Sequence, residues 1–322
     1  MNLHLTAPFR PIEFPEGAIC KPLPRLKTLE LWVQQWPIGG PTCITAFAAA
    51  PELREIKLVR MSLSQISLPW TQITRLTLSY QSLEQIFEIL RQTPNVEDLT
   101  VSFNDHSVVQ LSPFTLPHLR RIKLSSALIL NNLILPALES LELACGRAME
   151  RASVQSFLQR SECAIRVFQL DMTDMQNACD CLSDLPSVTD VTIKYADWST
   201  DDFTRFFNWL SGSENRTVLP ALEMLYIHGA TGNIEVGAME TFLSSRRTSA
   251  GGRRKLKLFK LLFSYKNCPD FQVERTLKNL TNLRTGGLQI DITQAHKWTT
   301  DYIDSKMVGY VFLAVSGHSR GF

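Results

Sequence analysis

The feature that most constrains the fold is a short apolar pattern, L-x-x-L-x-L, which recurs ten times along the chain. Its apolar triplets are Leu26/Leu29/Leu31, Leu53/Ile56/Leu58, Ile73/Leu76/Leu78, Val96/Leu99/Val101, Leu119/Ile122/Leu124, Leu138/Leu141/Leu143, Ile165/Phe168/Leu170, Val188/Val191/Ile193, Leu222/Leu225/Ile227 and Leu256/Phe259/Leu261. The first members of successive triplets lie 27, 20, 23, 23, 19, 27, 23, 34 and 34 residues apart. A unit of this length cannot bury its apolar face alone, so neighbouring units must stack and share one core.

The spacing within each triplet indicates a short strand. The last two members lie two residues apart and therefore point to one side of an extended chain, while the first member lies in the turn that leads into it. Strands of this kind stack in parallel, each covering part of its neighbour's apolar face. The sequence therefore predicts an α/β leucine-rich-repeat solenoid of about ten to eleven irregular repeats with a parallel concave sheet.

The residue three positions after each triplet indicates which type of leucine-rich repeat the chain contains. Leucine-rich repeats commonly place Asn three residues after the triplet. Here that position is Asn only at Asn104, and its other occupants include Gln34, Met61, Gln81, Ala127 and Gly146. This irregularity favours the looser, ribonuclease-inhibitor-like variety.

Segments with helical periodicity separate many of the triplets. Residues 82–92 place Leu83, Ile86, Phe87 and Leu90 on one face, with Ser82 as the expected N-cap. Further helices are predicted over residues 153–160, 173–182, 200–210, 236–245 and 271–280. Segments 62–70 and 125–135 are too short for a helix and are expected to form extended or 3₁₀ turns.

These patterns divide the chain into three parts. Residues 1–22 carry no triplet and are expected to form an N-terminal cap or lead-in segment. Residues 23–292 form the repeat domain, whose last strand is predicted within residues 286–292. Residues 293–322 are interpreted as a C-terminal tail outside the repeat.

Two runs of sequence resemble a known family. The run L-P-W-T-Q-I-T-R-L-T-L from Leu68 to Leu78, and the run from Leu83 to Val96 that follows it, are similar to the leucine-rich part of F-box proteins abundant in mushroom-forming fungi. The segments 50–54 and 287–290 are similar as well, and the resemblance covers roughly residues 23 to 292. In that family an N-terminal F-box helix bundle docks on the Skp adaptor of a cullin ubiquitin ligase, and the repeats select the substrate.

The chain departs from this family at its N-terminus. Nothing before Pro24 matches the Leu-Pro-x-Glu-Ile/Leu helix signature of an F-box. The resemblance therefore implies either the substrate-recognition repeats of an F-box-type adaptor, given as a partial chain, or a leucine-rich-repeat scaffold with no ligase role. An in-frame F-box upstream of Met1 would separate the two, and residues 1–322 alone are expected not to bind the Skp adaptor.

Composition argues against several other classes of partner. The formal net charge of +2 is too close to neutral to indicate nucleic acid or an anionic membrane as the main partner. No run of eighteen apolar residues occurs, and residues 1–10 lack the features of a signal peptide. We expect an intracellular protein, cytoplasmic or nuclear, that binds another protein or a peptide.

Catalytic and metal-binding motifs are weak. Seven scattered cysteines argue against a disulfide framework, and Cys179-Asp180-Cys181 has no second ligand cluster. The string G-H-S-R-G at residues 317–321 matches a nucleophile elbow, but no acid or histidine follows it in the given sequence. We expect no catalysis, no metal and no cofactor.

The stretch from Arg246 to Lys260 carries seven basic residues and no acidic one, which fits either a solvated loop or an anion-binding, nuclear-import or phosphorylatable loop.

The binding surface is expected on the strand residues that alternate with the buried triplet members. Each strand should present three of them, such as Glu55, Lys57 and Val59 on one strand and Arg75, Thr77 and Ser79 on the next. The candidate partner-binding residues are Trp32, Lys57, Arg75, Arg121, Lys123, Lys194, Met224, Tyr226, His228 and Lys260. Tyr226, with Met224 and His228 beside it, is the candidate hot spot, and Leu258 and Leu262 would extend it. The alternative is that residues 246–255 or the tail after Ile292 cover this cluster and make it part of the core.

Overall fold

A computed structural model of the 322-residue chain shows a repeating α/β architecture built on parallel strands. The structure describes residues 2–7, 23–33, 43–103, 112–144, 151–171, 174–194, 198–212, 218–230, 236–246, 255–263, 278, 280 and 288–294. The chain divides into two compact units. The first unit comprises Met1–Val191 and Leu219–Leu222, and the second comprises Thr192–Val218 and Glu223–Phe322.

Short strands dominate the first unit. They are β1 (Asn2–Ala7), β2 (Thr28–Val33), β3 (Glu55–Val59), β4 (Arg75–Ser79), β5 (Asp98–Ser102), β6 (Phe114–Thr115), β7 (Arg121–Leu124), β8 (Leu133–Ile134), β9 (Ser140–Leu143) and β10 (Val167–Asp171). The main sheet has the order β1-β2-β3-β4-β5-β7-β9-β10, and each of these neighbours pairs in parallel. The two-residue strands β6 and β8 form a separate parallel pair.

The strand β11 (Asp190–Lys194) contains the boundary between the two units. In the second unit, β12 (Met224–Ala230), β13 (Leu258–Phe263) and β14 (Gln289–Gln294) follow one another in the sheet. Both of these pairings are parallel.

The predicted triplets are confirmed as the core. All thirty of their side chains are 2% exposed or less. Each strand from β2 to β13 in the main sheet begins two residues after the first triplet member, which lies in the turn as predicted. The N–H of Leu26 donates to the carbonyl of Leu23 at 3.1 Å, and that of Leu138 donates to Leu135 at 3.2 Å, so the same tight turn introduces successive strands.

Backbone hydrogen bonds at this turn fix the strand register. The carbonyl of Arg54 accepts the N–H groups of Thr74 and Arg75 at 2.9 and 3.0 Å. The carbonyl of Thr74 in turn accepts those of Glu97 and Asp98 at 2.8 and 3.1 Å. Because each repeat bonds to the next in the same way, equivalent residues of neighbouring repeats lie side by side.

The predicted helices form with shifts of one or two residues at their ends. They are α1 (Leu83–Gln92), α2 (Arg151–Ser161) and α3 (Met175–Ser183) in the first unit and α4 (Thr200–Ser211) and α5 (Val236–Ser245) in the second. Ser82 caps α1 as expected, accepting from the Gln85 N–H at 3.4 Å while the Gln85 side chain accepts from the Ser82 N–H at 3.2 Å. The helix predicted at 271–280 lies almost wholly outside the described residues.

The two segments too short for helices are confirmed as 3₁₀ turns. They form Leu63–Gln65 and Trp70–Gln72 after β3, and Ala127–Asn132 after β7. The buried Gln81, at the position where Asn was expected, donates through Nε2 to the carbonyls of Leu58 at 3.3 Å and Met61 at 3.0 Å. A glutamine amide therefore joins one repeat to the previous one at this point.

At both ends the sheet reaches beyond the residues that the sequence predicted for it. Residues 1–22 carry no triplet, yet Asn2–Ala7 forms β1 and pairs in parallel with β2. The last strand was predicted within residues 286–292 and forms at Gln289–Gln294. Residues 295–322 lie outside the described residues.

Aromatic side chains form the core of the second unit. Phe203, Phe206, Phe207 and Leu210 of α4 are buried, as the helical period predicted. The ring of Phe207 lies 6.0 Å from that of Phe259 on β13 and 5.9 Å from that of Phe242 on α5. Both helices therefore pack on the same sheet face as the triplets.

A buried arginine packs against this aromatic core. Arg246, directly after α5, donates through Nη2 to the carbonyl of Leu210 in the last turn of α4 at 3.2 Å and to the carbonyl of Val218. Its guanidinium carbon lies 5.8 Å from the centre of the Phe242 ring. A cation at this position satisfies carbonyl groups that the end of a helix leaves without an intrahelical donor.

We predict that Leu141→Asp prevents stable folding. Leu141 is fully buried between Ile122 and Phe168 on the neighbouring strands, where a carboxylate costs at least about 4 kcal/mol. Urea unfolding followed by circular dichroism measures the effect, with the outward-facing Glu142→Ala as a mild control. A soluble Leu141→Asp protein with a near-native midpoint would contradict the burial.

We predict that Arg246→Met lowers the free energy of unfolding by about 2 kcal/mol, because two buried carbonyl groups lose a charged donor. The matched control is Lys257→Met, which removes an exposed ion pair with Glu223 and is expected to cost less than about 1 kcal/mol. Equal unfolding midpoints for Arg246→Met and the unaltered protein would rule out the capping role.

Candidate functional site

The outward face of the first unit's sheet carries the residues that alternate with the triplets. At the first two outward positions of β2 to β10 these side chains are exposed or half-buried. The expectation fails at the third position of two strands, where Val59 is 0% exposed and Ser79 is 8% exposed. Each is the last residue of its strand, and the next residue, Arg60 or Tyr80, has a φ of 58° or 62°. The chain therefore turns away at once, and the alternation of the strand ends there.

The candidate cations of the first unit all lie in ion pairs with the adjacent strand. Four pairs follow the strand register, Lys57–Glu30, Arg75–Glu55 at 2.8 Å, Arg121–Asp98 at 3.0 Å and Lys123–Glu142 at 2.7 Å. The more exposed of these, Arg75–Glu55 and Arg121–Asp98, contribute about 0 to 1 kcal/mol each to stability. Their larger effect is electrostatic, since they neutralise the middle of the face.

A different surface lies at β10. Val167 is 42% exposed and occupies the first outward position of that strand. The Asp190 N–H donates to the Arg166 carbonyl at 3.0 Å, which places Asp190 beside Val167. Asp171 at the end of β10 accepts a hydrogen bond from Gln169 at 3.3 Å. This strand therefore has a carboxylate beside its exposed apolar side chain and a second one at its other end.

Aromatic residues stand at the C-terminal ends of the first strands. Trp32, predicted as a site residue, is half-buried at the end of β2 and lies opposite Val59 of β3. Sequence reasoning missed Arg60 and Tyr80, which follow β3 and β4 at equivalent positions, with the guanidinium of Arg60 5.2 Å from the Tyr80 ring centre. The signal that could have found them is the strand register, which the triplets already define.

The second unit carries the predicted hot spot. Met224 is 42% exposed, and Tyr226, Leu258 and Leu262 are half-buried. The register places Met224 opposite Leu258 and Tyr226 opposite Lys260. Tyr226 is therefore open to solvent in part and does not belong to the core. We call Met224, Tyr226, Leu258 and Leu262 the apolar cluster.

Two polar groups border the apolar cluster. The ammonium group of Lys260 lies 5.6 Å from the centre of the Tyr226 ring and 3.4 Å from a carboxylate oxygen of Asp291. His228, predicted as a partner-binding residue, is only 6% exposed, and its ring lies 6.2 Å from that of Tyr226 at an angle of 11°. Burial, followed by the charge of Lys194, holds the pKa of His228 below its usual value. His228 thus supports the Tyr226 ring and offers little surface to a partner.

Three basic residues of the stretch from Arg246 to Lys260 lie in the core or in ion pairs. Arg246 is buried in the core, Lys257 pairs with Glu223 at 2.5 Å, and Lys260 pairs with Asp291. Residues 247–254, which hold three more of its arginines, lie outside the described residues.

The thiol of Cys179 is protonated in its buried position. Cys179 and Cys181 are buried on α3, and burial raises the pKa of the Cys179 thiol to about 12, which keeps it protonated. Within the described ranges no three His, Cys, Asp or Glu side chains form a group able to hold a metal. The G-H-S-R-G string at residues 317–321 lies outside those ranges.

Among the helices that the structure describes, none has the length and apolar character needed to cross a membrane. No family model matches this chain, and no curated protein matches its sequence.

Proposed function

We propose that this chain is a leucine-rich-repeat protein whose outward sheet face binds another protein. The observation that carries the proposal is a parallel sheet with one open face. Parallel sheets are normally covered on both sides, because helices connect their strands across both faces. Here the strands alternate between fully buried triplet residues and exposed or half-buried outward residues. Leucine-rich repeats are the architecture in which such a sheet stays open for a ligand.

The composition of the open face favours a protein as the ligand. Protein interfaces are enriched in Trp, Tyr, Met and Arg and mix polar with apolar groups. Outward positions or their neighbours hold Trp32, Tyr80, Met224 and Tyr226, and the same faces carry ion pairs such as Lys57–Glu30 and Lys260–Asp291. A broad surface of this kind suits a macromolecular partner better than a small molecule, which needs a concave pocket that encloses it.

The sequence resemblance supports a more specific form of this function. We propose that the repeats select the substrate of an F-box-type ubiquitin-ligase adaptor, as the similar repeats of the mushroom-forming fungi do. The alternative is a leucine-rich-repeat scaffold without a ligase role. The two differ in one partner, since only the first requires the Skp adaptor of a cullin ligase.

We predict that Tyr226→Ala weakens binding of a partner captured by residues 1–322 by roughly 2 kcal/mol or more, because an aromatic anchor loses its contact area. Isothermal titration calorimetry measures the loss. The matched control is Asn208→Ala on the exposed surface of α4, which is expected to leave affinity unchanged. Unaltered binding by Tyr226→Ala would remove the second unit's face from the site, and unfolding of this variant would return Tyr226 to the core.

The ligase role predicts that the native protein, immunoprecipitated from its source cells, brings down the Skp adaptor and a cullin in amounts comparable to its own. Mass spectrometry of the precipitate measures this. A precipitate that contains a face-dependent partner but no Skp adaptor would favour the scaffold alternative.

A further inference from the structure

The most exposed member of the apolar cluster is Met224, and Leu258 lies directly opposite it in the strand register. These two residues hold the first outward positions of β12 and β13. On β14 the first outward residue is Gln289, which is exposed and lies opposite Leu258. The row across the three strands therefore consists of two apolar side chains followed by an uncharged amide.

Ion pairs border this row on both sides. Directly before the strands, Lys257 pairs with Glu223 at 2.5 Å. At the next outward position, Lys260 of β13 pairs with Asp291 of β14 at 3.4 Å, in agreement with the register that places them opposite each other. Two cations and two carboxylates thus lie beside the row on β13, β14 and the residues that precede them. Their charges sum to zero.

One wall beside the row is an aromatic ring held in place. Tyr226 occupies the next outward position of β12. The centre of its ring lies 5.6 Å from the ammonium group of Lys260 and 6.2 Å from the ring of His228. These contacts restrict the rotation of the Tyr226 ring, so little side-chain freedom is lost when a partner packs against it.

This arrangement disfavours a charged side chain from a partner. A charged group placed on Met224 and Leu258 would lose water, while the bordering carboxylates and cations are already engaged with one another. An apolar side chain has no such loss and gains from removing Met224 from water. The amide of Gln289 can both donate and accept, which suits a peptide group of the partner's backbone next to the apolar contact.

Resting on the proposed function, we propose that Met224 and Leu258 bind one large uncharged apolar side chain of a partner protein, with the partner's backbone beside Gln289. The neighbouring residues of that partner segment lie over the two ion pairs, because Lys257 and Lys260 are one and two residues from Leu258, about 3 to 7 Å along an extended strand. They are therefore uncharged as well. Since no net charge attracts the segment, its affinity depends little on ionic strength.

The test is selection of random short peptides displayed on phage against the intact chain 1–322. Enriched sequences are expected to share Leu, Met, Phe or Trp with uncharged neighbours on both sides. Fluorescence anisotropy of the most enriched peptide is expected to show about tenfold weaker binding to Met224→Glu, with Met224→Leu and Asn208→Ala unchanged. Its affinity for the unaltered protein is expected to change less than about twofold between low and high salt. Circular dichroism checks that each variant is folded.

A second variant tests the role of the ion pairs. Asp291→Asn removes the carboxylate that pairs with Lys260 and keeps the size of the side chain. Selection against this folded variant is expected to enrich Asp or Glu within about two positions of the apolar residue. Binding of such a peptide is expected to weaken by at least about fivefold at high salt, in contrast to the peptides that the unaltered protein selects.

Four results would overturn the proposal. They are the absence of any enriched peptide, enrichment of charged residues by the unaltered protein, affinity that Met224→Glu leaves unchanged, and a selection profile that Asp291→Asn leaves unchanged. Peptides that lose binding with Trp32→Ala but keep it with Met224→Glu would refute this partner chemistry and leave the proposed function intact. A captured partner whose binding depends on neither face would refute the proposed function itself.

Discussion

The rest of the structure depends on how a short parallel strand buries one of its faces. A strand of four to seven residues cannot cover its own apolar side chains, so each triplet needs the next repeat against it. The backbone enforces this stacking, since the carbonyl of Arg54 or Thr74 accepts two N–H groups from the following repeat. Once these bonds form, the strands cannot slip by a residue without turning the triplets toward water.

Fixed register has an electrostatic consequence. Equivalent positions of neighbouring strands lie side by side. The register alone therefore brings a carboxylate on one strand into contact with a cation at the same position of the next strand. Glu55 with Arg75 and Asp98 with Arg121 are two such pairs. A face whose sequence is mixed in sign is therefore locally neutral over most of its width.

The sequence predicted the core and the helices well because both depend on local periodicity. The triplets encode strand and turn in six residues, and Ser82 with Gln85 encodes the start of α1. The candidate site was harder to predict, because it depends on which residues become neighbours and how deeply each is buried. Arg246 was grouped with a basic loop since composition cannot show that its guanidinium lies against helix carbonyls. Strand β1 was missed because its short alternation lacks a leading turn residue.

The open face of a parallel sheet is in contact with water and not with a layer of helices. This restricts where large apolar side chains can lie on it. Val167 and Met224 are the large apolar side chains left exposed in the described part of the chain, each in a different unit. Asp190 lies beside Val167, whereas Met224 lies opposite Leu258, with the Lys260–Asp291 ion pair at the next outward position of the neighbouring strands. The exposed apolar side chain of the first unit thus has a charged neighbour, and that of the second unit has an apolar one. Water solvates the carboxylate next to Val167 well but gains no such contact at Met224 and Leu258, so covering the second pair releases more free energy per unit of area.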